Sequence, residues 1–109
     1  MKILIDNINE ALIELKDFQI KNNLSENEWS TKTVFKVLIL FKDKLDKNET
    51  LNIRLLRAMK DLYVVSFRNF EGTDLYRRIN SIDNQLTTLF PNYKKLEPLG
   101  LDFGKENPI

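Results

Sequence analysis

Residues 51–70 read LNIRLLRAMKDLYVVSFRNF, and the spacing of their apolar side chains decides the fold. Leu51, Leu55, Ala58, Leu62 and Val65 recur in helical steps of three and four, and Leu56, Met59, Tyr63, Phe67 and Phe70 form a second, overlapping stripe. A helix apolar over so wide a face needs cover on more than one side. It is therefore expected to be the packing centre of the domain. None of its side chains is a reactive group in a setting that would activate it.

Working outward, the chain breaks on both sides of this helix. After it, Gly72 allows a left-handed turn, Thr73 can cap the next helix, and Asp74 lies in a first turn where the helix dipole favours a carboxylate. Leu75, Ile79, Ile82, Leu86 and Leu89 then repeat in steps of four and three until Phe90-Pro91 stops them. Before it, the polar stretch DKNET at 46–50 offers Asp46 or Asn48 as cap. Arg57 and Asp61, four apart, should pair along the outer side of the central helix.

Nearer the N-terminus, Leu4, Ile8, Ala11, Leu15 and Phe18 mark an amphipathic helix ended by Asn22-Asn23. Ser25 and Glu28 have the spacing of a capping box, with Leu24 and Trp29 as its hydrophobic staple. The following run VFKVLILF (34–41) is rich in β-branched residues and could be read as a buried strand. Its capped start and long freedom from Gly and Pro favour a helix, and no partner strand is evident elsewhere. The expected architecture is all-α, an antiparallel four-helix bundle-like single domain over 1–109. Its helices run over about 3–22, 26–44, 49–69 and 74–90. Residues 91–109 hold all three prolines, yet Tyr93, Leu96, Leu99, Leu101 and Phe103 are too apolar for a free linker. Residues 93–103 should lie back across the bundle, with 104–109 frayed.

Composition narrows the function. Seventeen basic and sixteen acidic residues leave a net charge of +1, with no basic excess for a long phosphate footprint. Arg54, Arg57, Lys60, Arg68, Arg77 and Arg78 could form a phosphate-contacting stripe, but acids alternate with them. The chain has no cysteine and no histidine, so thiolate sites and the commonest general base and metal ligand are all missing. Its serines have no histidine to activate them, and no GxSxG, SxxK or Gly-rich phosphate loop occurs. Glu71 with Asp74 reads as cap and dipole complement, and Glu10 with Glu14 as solvated surface. No segment has the length and apolarity of a membrane span or the form of a signal peptide. The expectation is a cytoplasmic protein without cofactor or metal, which binds neither nucleic acid nor membrane and is not an enzyme. Tyr63 and Tyr76 are of the residue type enriched at protein interfaces.

Two turns carry a family resemblance. Phe70, Glu71, Thr73 and Asp74 follow the basic Arg68 and lead into the last helix, and Leu45-Asp46-Lys47 separates helices two and three. In these residues, and in helix order over about 3–90, the chain resembles the small helical immunity proteins of bacterial type VI secretion. That group neutralises an NAD(P)-hydrolysing effector. The chain departs from it in the tail, 92–109, and in the lysine-rich surface of helix two. The resemblance implies a cytoplasmic partner-binder without activity, which occludes the pocket where NAD(P) enters a cognate toxin. Such pockets are basic and aromatic-lined, so the complementary face is expected to include Asp46, Glu49, Glu71 and Asp74 with Tyr63 and Tyr76. The alternative is a non-catalytic regulatory or scaffolding module that homodimerises through an apolar helix face.

Overall fold

The computed structural model describes residues 2–47, 49 and 51–101. Four helices run over Lys2–Lys21 (α1), Trp29–Asp46 (α2), Ile53–Phe70 (α3) and Asp74–Leu89 (α4), followed by one 3-10 turn at Tyr93–Lys95. No strand occurs among the described residues, so the VFKVLILF run is helical. Val34, Val37, Leu38 and Phe41 lie fully inside, and that burial outweighs the weak helix propensity of the valines.

Local chemistry sets the helix ends. Asn23 takes a positive φ of 53° after α1, and the Leu24 amide returns to the Gln19 carbonyl at 2.8 Å, a left-handed C-terminal stop. Gly72 has φ +83°, and the Thr73 hydroxyl accepts the Tyr76 amide at 3.1 Å to start α4. Two expected starts are corrected. Ser25 does not cap α2, because its hydroxyl is taken up two residues on by the Asn27 amide in a local turn. The cap is Glu28, whose carboxylate accepts the amides of Ser30 and Thr31 at 3.2 and 2.8 Å and both their hydroxyls. Similarly, α3 starts from Asn52, which accepts the Leu55 amide at 2.8 Å, while Asp46 ends α2. Asn48, the other expected cap, lies outside the described residues, as do Phe103 and 104–109.

Burial alone would raise the Glu28 pKa, but the bonds from Thr31 and Ser30 outweigh it and hold the carboxyl below its usual range. A depressed folded pKa means that this contribution is present above the ordinary carboxyl range and fades as pH falls through the folded value. Glu28→Ala should therefore lower stability by about 1–2 kcal/mol at neutral pH and by less in acid. Urea titrations at several pH values read both the size and the pH trend.

The helices form a ring in which α1 packs on α2 and α4, and α3 on α2 and α4. Contacts down the α1–α4 seam establish its antiparallel sense: Asn7 meets Gln85 near one end, Glu14 meets Arg78 further along, and Asp17 and Lys21 approach Asp74 at the other. The most extensive packing belongs to α4, between α1 and α3, so α3 is not the sole packing centre. Its wide apolar face has a different explanation, because α3 is covered by α2, by α4 and by the tail.

The tail is a strap laid across α3. Tyr93 is fully buried and donates its hydroxyl to Asp83 at 2.6 Å, with the Lys60 ammonium 4.4 Å from its ring centre. Leu96, Leu99 and Leu101 pack on the rim of the core. Arg57 donates to the carbonyls of Glu97 (2.8 Å) and Pro98 (3.2 Å). Asp61, only 6% exposed, accepts the amides of Leu99, Gly100 and Leu101 at 2.8, 2.9 and 3.1 Å. Thus Arg57 and Asp61 both serve the strap, and the outer-side pair expected of them is replaced by bonds to a backbone about forty residues on.

One core group is left over. The Ser66 hydroxyl is fully buried without a hydrogen-bond partner among the described residues. Removing an unsatisfied buried hydroxyl relieves its desolvation, so Ser66→Ala should match the parent or gain about 1 kcal/mol. A clear loss in chemical denaturation would reveal a partner for that hydroxyl.

Candidate functional site

The turn from α3 to α4 gathers four of the six residues expected at a partner surface. Tyr63 on α3 and Tyr76 on α4 approach to 6.4 Å between ring centres, and Phe67, one turn after Tyr63, lies 6.2 Å from Tyr76. Phe67 is 49% exposed, so the cluster opens to solvent rather than closing the core. Glu71 caps the end of α3 and is exposed, and Asp74 opens α4 beside Arg77. The ion pair and hydrogen bond with Arg77 hold the Asp74 carboxyl below the usual range. Hydrogen bonding to Tyr63, with burial and the nearby Glu71 charge adding to it, raises the Tyr76 hydroxyl above an ordinary phenol. The result is an aromatic surface with carboxylates on its border, built on a turn held by Gly72 and Thr73.

Asp46 and Glu49 are not part of it. They lie at the α2–α3 connection, and the eighteen residues of α3 separate the two ends of the bundle by roughly 27 Å. Asp46 is 3.9 Å from Lys42 and Glu49 2.7 Å from Lys44. The structure therefore divides the expected acidic face into two.

Several cations that could have formed a phosphate stripe have internal partners. Arg57 holds the strap, Lys60 sits over Tyr93, and Arg77 pairs with Asp74. Arg78 lies between α1 and α4, donating to Asn7 Oδ1 at 2.8 Å and Glu14 at 3.0 Å, while Asn7 Nδ2 donates to Ser81 and Gln85. Glu14 is thus part of an inter-helix network and not simply a solvated acid beside Glu10. Among the described residues no three His, Cys, Asp or Glu side chains converge as a metal site, and no helix is long and apolar enough to cross a membrane.

Phe67 was missed as a surface residue because its place in the second α3 stripe made it look like core. Only its 49% exposure in the folded chain shows that this side of α3 is half open. Fold and surface together define an all-α bundle-like domain with an aromatic, acid-bordered end. Comparison with known protein families, with curated proteins and with solved structures finds no match.

Proposed function

We propose that the chain is a non-catalytic inhibitor that binds a bacterial toxin domain through the α3–α4 end, as the resemblance to type VI secretion immunity proteins implies. The toxin envisaged hydrolyses NAD(P). The observation that carries this reading is the open cluster of Tyr63, Phe67 and Tyr76 beside Glu71 and Asp74. Aromatic anchors with a charged border are the usual composition of an affinity-determining patch, and carboxylates complement a cleft that accepts an anionic dinucleotide. Asp46 and Glu49, at the far end, are left out of the proposed face.

The test is co-expression with an NAD(P)-hydrolysing toxin domain, taken first from the neighbouring reading frame if that frame encodes one, reading cell survival and the NAD pool. The parent chain should protect. Glu71→Lys with Asp74→Lys should weaken toxin binding by about a hundredfold and remove protection, whereas Asp46→Lys with Glu49→Lys should still protect. Full protection by the Glu71/Asp74 variant would discard this face. A chain that leaves the toxin active and forms a stable dimer by light scattering would favour the homodimerising scaffold.

A further inference from the structure

A second surface lies on the α1–α2 side and plays no part in the reading above. Between these helices runs a groove of about 360 Å³ floored by Leu12, Leu15 and Phe35. Its border carries Lys16, Lys32 and Lys36, and the single acid there, Glu26, is ion-paired to Lys16 at 3.0 Å. The apolar character continues outside the groove, where Ile20 and Ile39 are exposed. The Gln19 amide donates to the Thr31 hydroxyl at 2.9 Å across the same two helices.

Charge is segregated about this groove. At 100° per residue, Glu10, Glu14 and Asp17 of α1 lie at least about 100° round the helix from Lys16, and Glu14 pairs with Arg78 on the opposite flank. Those three acids thus face away from the groove, which is lined by Lys16 of α1 and by Lys32 and Lys36 of α2. Nothing in the bundle core needs Phe35 at 47% exposure or Ile20 at 68%. A recessed apolar floor about two helical turns long, bordered by cations, complements one shape and charge pattern well: an amphipathic helix with apolar anchors three and four residues apart and acids beside them. A planar lipid surface fits less well, because the apolar strip is a recess between two helices rather than a flat exposed patch.

We propose that the α1–α2 groove is the docking site for an acidic amphipathic helix of a partner protein.

The probe is a synthetic helical peptide with leucines at i, i+3, i+4 and i+7 and glutamates elsewhere, beside a counterpart with lysine at every glutamate. Both are titrated into the isotope-labelled full chain, with amide shifts and affinity read together. The acidic peptide should bind, with shifts confined to the groove side of α1 and α2, and affinity should fall as salt is raised. Lys32→Glu with Lys36→Glu should weaken it at least about tenfold and transfer preference to the lysine peptide. Phe35→Ala, at an exposed position with little effect on folding, should weaken it by a similar factor. Glu71→Lys with Asp74→Lys should leave it unchanged, which separates this site from the toxin-binding face. The proposal is overturned if the two peptides bind equally or if shifts appear away from the groove. It is also overturned if phosphatidylglycerol vesicles occupy the groove while the peptide does not, or if a second copy of the chain already fills it in solution.

Discussion

Asp61→Ala is expected to lower stability by about 3 kcal/mol, far more than its place on the flank of a helix would suggest. The carboxylate is almost fully enclosed and accepts three consecutive strap amides. A buried carboxylate is tolerated only where hydrogen bonds replace its water, and here those bonds come from three consecutive main-chain amides. Alanine removes the acceptor from all three amides at once. Because Gly100 is exposed, water can satisfy part of the loss, which keeps the expected figure well below the sum of three separate charged bonds. Asp61→Asn keeps one accepting oxygen without the charge and should fall between the two. Arg57→Ala, which releases two carbonyls at a more accessible position, should cost about 1 kcal/mol. Urea denaturation gives the totals, and hydrogen exchange at Leu99, Gly100 and Leu101 shows where the loss occurs. An Asp61→Ala protein with unchanged midpoint and protected strap amides would show that the clamp is not what holds the tail.

The helices were legible because their apolar steps are regular and because Asn22-Asn23 and Gly72-Thr73 stop and start the chain by local chemistry. The start of α2 was misread because Ser25 and Glu28 both suit an N-cap. The Ser30 and Thr31 hydroxyls, which add two further donors to Glu28, settle the contest. Asp61 could not be read from its neighbourhood, since its partners lie about forty residues away and are main-chain amides that leave no mark in composition. The sequence offers only Arg57 one turn earlier, and an i, i+4 pair was the natural reading. The double stripe on α3 did say that the helix needs extra cover, and the apolar residues of the tail said that it lies back across the bundle, but neither said that α3 is the helix it covers. The division of the expected acidic face follows from topology. In an antiparallel bundle successive connections alternate between ends, so acids from the α2–α3 and α3–α4 connections are kept a helix length apart.

The strap is as much interior as surface, and Tyr93 is where this is most easily tested. Tyr93→Ala should cost about 4 kcal/mol, since it removes a fully buried ring and leaves a cavity between α3 and α4. Tyr93→Phe keeps the ring and deletes only the hydroxyl that Asp83 accepts, so about 1–2 kcal/mol is expected. Alkaline pH separates these contributions again. Burial, then the hydrogen bond to Asp83 and its charge, hold the Tyr93 hydroxyl well above the ordinary phenol value of 10.0. A raised folded pKa means that the stabilisation is complete below pH 10.0 and declines above it, where unfolded chains release the phenol proton and folded ones retain it. The parent should therefore lose stability steeply above that pH, and Tyr93→Phe should lose it less steeply. Tyr76→Phe, at the half-exposed position, should follow the parent more closely. If Tyr93→Phe and the parent decline in parallel, the phenol is already open to water and the strap does not seal the end of the bundle. If they diverge while Tyr93→Ala still unfolds early, the tail belongs to the cooperative core, and removing residues 91–101 would unfold the domain rather than trim it.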